Sequence, residues 1–367
     1  MKIELNQNKV FYNNGSEKKE IHPFWLRERV NGEEYLDKGT QQRLFDPTSL
    51  SSDISINKAN INEKYLEIDF NDGVTSKLEI DKIALEFSKE DIVIKSIEKT
   101  KWDSRLKNIK NFQYQKDFYE SKEMHDLLVS FYQYGFVIIK NIPTSKNYIV
   151  EFANSIGSVR RTNFGEYFNV KSKPDPNDLA YTSLALAPHT DNPYRNPVPC
   201  IQLLHCIESK VSGGLSSLVD GYTVTEELRS KFPEFYDILT KVKVRFRFVD
   251  KEVILENISP LIELNDDKSF KQVRFSPRLD YVPILDKEKL DLYYQARKKL
   301  SEMYNSDKYR IEFKLEPKDL IMMDNHRLLH GRTSYETKEG ERFLQGCYID
   351  FDSTEGKLRH LKRKFNL

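Results

Sequence analysis

The 367-residue sequence predicts a mainly β protein with inserted helices, a sandwich or jelly roll with a small β-rich domain at its N-terminus. Three observations predict it. Short segments rich in β-branched and aromatic residues recur along the chain without the strand–helix alternation of a doubly wound sheet. Only two long helical patterns interrupt the C-terminal half. Near the N-terminus, an alternating apolar pattern turns back on itself across an Asp-Gly pair. The chain exceeds one ordinary domain, and we place a small domain at 1–105 and a larger one at 106–367.

The N-terminal hairpin rests on Leu66, Ile68 and Phe70, which alternate with Glu67 and Asp69 before Asn71-Asp72-Gly73; Leu78 and Ile80 then resume the pattern. From Lys95 to Lys116 the chain turns polar and aperiodic, as a linker does. Met124, Leu127, Leu128 and Phe131 then share one helical face, which Gly135 ends before the strand Phe136–Ile139. Strands are expected at Ser183–Ala187, Ile201–Cys206, Ser217–Asp220, Val242–Val249, Arg310–Leu315, Leu320–Met323 and Arg342–Asp350. Helices are expected at about Val224–Thr240 and Lys287–Tyr304, and the basic tail Lys357–Lys364 reads as a solvated helix.

Composition narrows the function. Lys+Arg 58 against Asp+Glu 57 gives no basic excess to hold a phosphate backbone, so no nucleic-acid partner is expected. No apolar run approaches the ~20 residues of a membrane helix, so no membrane partner is expected either. Three cysteines, Cys200, Cys206 and Cys347, make no disulfide framework and suit a reducing cytoplasm, the expected location. A small-molecule ligand remains.

Its chemistry is written in Ala187-Pro188-His189-Thr190-Asp191-Asn192-Pro193. In extended chain alternate side chains share a side, so His189 and Asp191 offer an imidazole and a carboxylate together while Thr190 points away. His330, in Asn325-His326-Arg327-Leu328-Leu329-His330-Gly331-Arg332, is the best third ligand, with His326 as its competitor. Two histidines and one carboxylate on one face of an ion leave positions open, as in non-haem Fe(II) oxygenases. A His-x-Asp alone is more often structural; the later His-Gly-Arg and Arg342 raise it above that. Arg342 opens a strand and offers a permanently charged planar fork to the far carboxylate of a 2-oxoglutarate co-substrate. His205 and Cys206 imitate a zinc pair, but neighbours on a strand face opposite ways and read as core.

These motifs resemble the gamma-butyrobetaine and trimethyllysine dioxygenase group of Fe(II)/2-oxoglutarate oxygenases, related to taurine dioxygenase. Trp25-Leu26-Arg27 with Gln42-Arg43 is similar to the group's N-terminal domain. His189-Thr190-Asp191, Gln202 through Cys206, Gly213-Gly214, Val219-Asp220-Gly221, Asp324 through Arg332 and Gln345 through Tyr348 follow the catalytic core in order. The resemblance implies a double-stranded β-helix (jelly roll) core, Fe(II) on His189, Asp191 and His330, 2-oxoglutarate on Arg342 with Ser216 nearby, and a likeness to homodimers. It also implies a reaction in which dioxygen hydroxylates an unactivated C–H while the oxo-acid leaves as succinate and CO2. The substrate it implies is a small trimethylammonium zwitterion, whose quaternary cation sits among aromatic rings. The matching positions carry Phe164, Phe168, Tyr181 and Tyr348.

Two departures accompany the likeness. Glu28 through Tyr35 contains none of the cysteines that hold zinc in some relatives, so no zinc is expected. Where relatives grip the gamma-butyrobetaine carboxylate with asparagines, this chain has Asp178 and Ser276-Pro277. Asp178 suits the α-ammonium of trimethyllysine; Arg195 and Arg278 suit the phosphonate of a trimethylaminoethylphosphonate-type substrate; all three readings stand open. A non-catalytic betaine-binding protein and a zinc hydrolase are the competing classes, and the intact ligand set with Arg342 disfavours the first. The second lacks an acid at His-Glu-x-x-His spacing.

Overall fold

A computed structural model describes residues 2–87, 94, 97–115, 117–171 and 182–367. Two compact units divide the chain, Met1–Ile92 and Val93–Leu367. In the first, two three-stranded antiparallel sheets form, Lys2–Asn6 with Lys9–Asn13 and Lys18–Glu20, and Ile56–Ile61 with Tyr65–Phe70 and Thr75–Glu79. The second sheet contains the expected hairpin, and Leu66, Ile68, Phe70 and Leu78 point into the unit's own core with Ile3, Val10 and Leu26. Arg27 is buried there against the turn, its Nε 2.7 Å from Asp72 Oδ2.

The second unit is a double-stranded β-helix. Its larger sheet has the order Asn111–Gln113, Phe136–Lys140, Leu320–Asp324, Ile201–Ser209, Arg342–Ile349, Phe168–Val170. Its smaller sheet has the order Leu186–His189, Leu328–Arg332, Ser216–Asp220, Arg310–Phe313. Side-chain alternation explains how both sheets are covered. Phe136 and Ile138 meet Leu218, Ile311 and Leu328 between the sheets, while Val137 and Ile139 face helices. Buried on both faces, the strand has no polar side to show, which is why it reads Phe-Val-Ile-Ile.

The covering helices are Lys122–Tyr134, capped by Ser121 and ended at Gly135 as expected, Tyr148–Ile156 and Phe351–Phe365. Helices Gly221–Lys231, Pro233–Lys241 and Lys287–Tyr304, with a small sheet of Val244–Val249, Ile254–Ser259 and Asp280–Tyr281, enclose a second core against Val219 and Leu329. Among the described residues no helix is long and apolar enough to cross a membrane.

The structure corrects four expectations. The helix expected at Val224–Thr240 is two helices, because Pro233 lacks the N–H to continue the first and opens the second. The segment expected as a linker is ordered over 97–115: Trp102 is buried with its Nε1 donating to the Tyr134 carbonyl, and Asn111–Gln113 is a strand. The basic tail is helical as expected, within Phe351–Phe365, but only one face is solvated: Leu358 and Leu361 enter the core while Lys357, His360 and Lys364 surround Glu120. The strand expected at Ser183–Ala187 lies at Leu186–His189, its end carrying His189 itself.

Candidate metal centre

The centre lies at one end of the smaller sheet. Leu186–His189 and Leu328–Arg332 run antiparallel, with His189 directly opposite His330, and the two rings stand 4.5 Å apart between centroids. Gly331 makes that approach possible: a Cβ there would fall 2.6 Å from the Leu186 carbonyl oxygen and 2.8 Å from Ser217 Oγ. The His-Gly pairing in the sequence therefore serves the strand partner as much as the ligand.

Asp191 follows in the turn beyond His189, and the turn is held from both sides. Asn325 Oδ1 accepts from the Asp191 backbone N–H at 2.8 Å, and Asn325 Nδ2 donates to the Asp191 and Pro199 carbonyls. Thr190 points away, as alternation predicts; its N–H donates to the Phe275 carbonyl and its hydroxyl accepts from the Phe275 N–H. Asn192 then takes a left-handed φ of 50°, a conformation asparagine tolerates better than most residues.

His189 Nδ1 lies 3.0 Å from the Ala187 carbonyl oxygen, so this nitrogen carries the proton and Nε2 presents its lone pair inward. The Nε2 atoms of His189 and His330 lie 3.5 and 3.6 Å from Asp191 Oδ1. The three donor atoms lie within 4.8 Å of one another. Adjacent ligands about 2.1 Å from one ion stand roughly 3.0–3.5 Å apart, so the two separations from Asp191 suit ligands of a single metal ion. Burial holds His330 down to about 4, which keeps its imidazole neutral and available at neutral pH. Burial pushes the Asp191 carboxyl up, but His330, the His189 contact and the Tyr348 hydroxyl together pull it well below the usual carboxylate range.

Two cavities meet at these ligands. The smaller, about 90 Å³, is lined by His189, Asp191 and His330 together with Ser216, Arg332 and Arg342. Arg342 is buried, its Nε donating to the Gly214 carbonyl at 3.1 Å, and among the described residues no carboxylate pairs with it. Burial, with the Arg332 charge beside it, pulls Arg342 down to about 10, still cationic at neutral pH. A buried cation beside a metal-binding cluster is a receptor for an anion, and the site fits a metal-chelating dianion such as 2-oxoglutarate.

The larger cavity, about 120 Å³, shares His189 and Asp191 and is walled by Phe164, Phe168, Tyr194, Phe248 and Tyr348, with Ser276 and Arg278 also lining it. Phe168 lies 5.4 Å from Tyr348, and Gly346 leaves room for it: a Cβ there would sit 2.4 Å from Phe168 Cζ. Phe248 contacts Phe164 at 5.8 Å and stacks on Tyr194 at 4.9 Å.

The structure thus gathers His189, Asp191, His330, Arg342, Ser216, Phe164, Phe168, Tyr348 and Arg278 around two joined cavities. Arg195 is not among the residues lining them; its guanidinium donates to Asn163 Oδ1 and lies 5.9 Å from the Tyr194 ring. Asp178 and Tyr181 lie outside the described residues. His326 turns away, its Nε2 3.2 Å from the Val198 carbonyl oxygen. Sequence reasoning missed Gln202, Tyr194, Phe248 and Arg332. The signal for Gln202 was a lone amide within Ile-Gln-Leu-Leu, a run otherwise fit for a buried strand.

A double-stranded β-helix with two histidines and one aspartate at its mouth defines a class of metal-dependent oxygenases. Residues 100–348 match the family described as taurine catabolism dioxygenase TauD, TfdA, and the chain belongs to that family. It is 32% identical over 229 residues to gamma-butyrobetaine dioxygenase of Pseudomonas sp. (strain AK-1), covering 62% of this chain and 60% of that protein. The human gamma-butyrobetaine dioxygenase is also 32% identical, over 235 residues, covering 63% and 61%. The match spans about three fifths of these relatives' length. Trimethyllysine dioxygenase of Mus musculus is 26% identical over 353 residues, covering 92% of this chain and 82% of that protein. A Burkholderia xenovorans structure, assigned as an alpha-ketoglutarate-dependent taurine dioxygenase, shares the fold at a TM-score of 0.51 and 15% identity, covering 68% and 92%.

Proposed function

We propose that this chain is an Fe(II)/2-oxoglutarate-dependent dioxygenase that hydroxylates a small trimethylammonium zwitterion, gamma-butyrobetaine-like, with release of succinate and CO2. The observation that carries this reading is one donor cluster shared by two unlike cavities, one ending on a buried arginine and the other walled by aromatic rings. His189, Asp191 and His330 hold the metal, and Arg342 holds the far carboxylate of the oxo-acid. When bound, Fe(II) with 2-oxoglutarate supplies the oxidising power that an unactivated C–H requires. Phe164, Phe168, Tyr348 and Phe248 exclude water and present ring faces to a cation that cannot donate a hydrogen bond.

A second reading keeps the reaction and changes the anionic end. Arg278 is exposed where it lines the aromatic cavity, with Ser276 buried beside it, and this pair favours a doubly charged phosphonate over a carboxylate. Trimethyllysine would need its α-ammonium met by Asp178. The test is anaerobic loading with Fe(II) and 2-oxoglutarate, then oxygen with each member of a trimethylammonium panel, with succinate measured. Substrate-dependent succinate is expected from at least one member; none from any member would leave a betaine-binding protein without turnover. Arg278→Ala raises the requirement for the preferred zwitterion about tenfold or more and leaves 2-oxoglutarate binding unchanged.

A further inference from the structure

Asp191 divides its two oxygens. Oδ1 faces the two imidazoles. Oδ2 faces the larger sheet and accepts two hydrogen bonds, from Gln202 Nε2 at 2.6 Å and from the Tyr348 hydroxyl at 2.7 Å. Both donors come from the middle of that sheet, where Gln202 and Tyr348 are direct cross-strand partners. They are presented side by side from strands with limited freedom to move.

Tyr348 is itself held. Its oxygen accepts from Asn192 Nδ2 at 3.0 Å, and Asn192 Oδ1 accepts in turn from the Tyr194 hydroxyl. Tyr194 stacks on Phe248, and both rings wall the larger cavity, as does the Tyr348 ring. A continuous series of neutral groups therefore runs from the cavity wall, through Tyr194, Asn192 and Tyr348, to the outer oxygen of the carboxylate.

We propose that Tyr348, steadied by Asn192 and Tyr194, is a positioning residue that fixes Asp191 as a one-oxygen ligand and ties it to the wall of the aromatic cavity. With Oδ2 occupied by two donors, only Oδ1 is free to bind an ion, and the position a second oxygen would take stays open. This deepens the functional reading above and rests on it only where the cavity's occupant is concerned.

Co(II) serves as the probe, because its visible absorption reports coordination without turnover. Tyr348→Phe keeps the ring and deletes the donor; thermal unfolding within a degree or two of the parent shows that the core is intact. The variant is expected to bind Co(II) about tenfold more weakly and with altered visible bands. Gln202→Met, which removes the other donor on the side of the smaller cavity and leaves the aromatic wall intact, is expected to weaken Co(II) similarly. Adding gamma-butyrobetaine is expected to shift the Co(II) bands in the parent and in Gln202→Met, but not in Tyr348→Phe. Unchanged Co(II) affinity and bands in a folded Tyr348→Phe protein would overturn the proposal, whatever the cavity binds. Weakened Co(II) in Tyr348→Phe, with parent bands indifferent to gamma-butyrobetaine, upholds the hold on Asp191 and counts against gamma-butyrobetaine as the cavity's occupant instead.

Discussion

Two histidines four residues apart meet opposite fates. His330 points between the sheets toward Asp191, whereas His326 lies in the preceding turn with its ring against Phe351 and its Nε2 toward Val198. His330→Ala is therefore expected to abolish Co(II) binding and turnover, and His326→Ala to keep the larger part of both; the reverse would exchange their roles. His189 and Asp191 were legible because alternation in extended chain puts them on one side, and Arg342 because a strand start fixes its direction. Tyr348 was legible only as an aromatic ring. Its hydroxyl serves Asp191, and no local pattern reveals a bond between residues 157 positions apart. Gly346 makes a further prediction. Gly346→Ala places a methyl where Phe168 now sits, so binding of a trimethylammonium ligand is expected to weaken severalfold while Co(II) affinity holds, measured by calorimetry on the same preparation.

A buried ion pair braces two strands of the smaller sheet. Arg327, 1% exposed, directs Nε and Nη2 at the two oxygens of Asp220, 2.9 and 2.8 Å away, and spends its other donors on the Gln133 and Thr100 carbonyls. Asp220 also accepts from the Tyr222 N–H and the Thr223 hydroxyl, opening the helix Gly221–Lys231. The pair thereby ties the start of the His330 strand to the neighbouring end of the antiparallel Ser216 strand and, through the Thr100 carbonyl, to the segment before Trp102. Arg327→Met leaves a buried carboxylate unpaired and is expected to cost about 3–5 kcal/mol in urea unfolding. Adding Asp220→Asn should recover part of that loss. This strand escaped the sequence reading: Leu328–Arg332 is only five residues long and carries a histidine, a glycine and an arginine, so period-two alternation never declares itself. Pro233 marks the break in the sequence itself, but apolar periodicity continues across it, so the segment reads as one helix.

At the scale of the molecule, buried histidines set the response to acid. His205 is fully buried in the larger sheet, and burial pulls it from 6.5 down to about 4, with only the Ile142 backbone and Asp319 opposing. The folded state thus disfavours its charged form. Its contribution is complete above the unfolded value, near 6.5, and is lost as pH falls toward 4, an effect on the order of 3 kcal/mol. The unfolding midpoint of the metal-free protein is expected to drop through that window, and His205→Leu to flatten the drop; an unchanged slope would mean that protonation of this ring does not drive the loss. The fold class was legible because short β segments and turn chemistry are local, while the pairing order of the sheets is not. That order carries one more consequence. Because the two imidazoles are opposed partners on adjacent strands, a slip of one residue would turn His330 to the far side and scatter the ligands. An ion that needs all three donors would therefore be held only by chains whose strands have paired correctly, so metal binding would report on correct assembly as well as on the site.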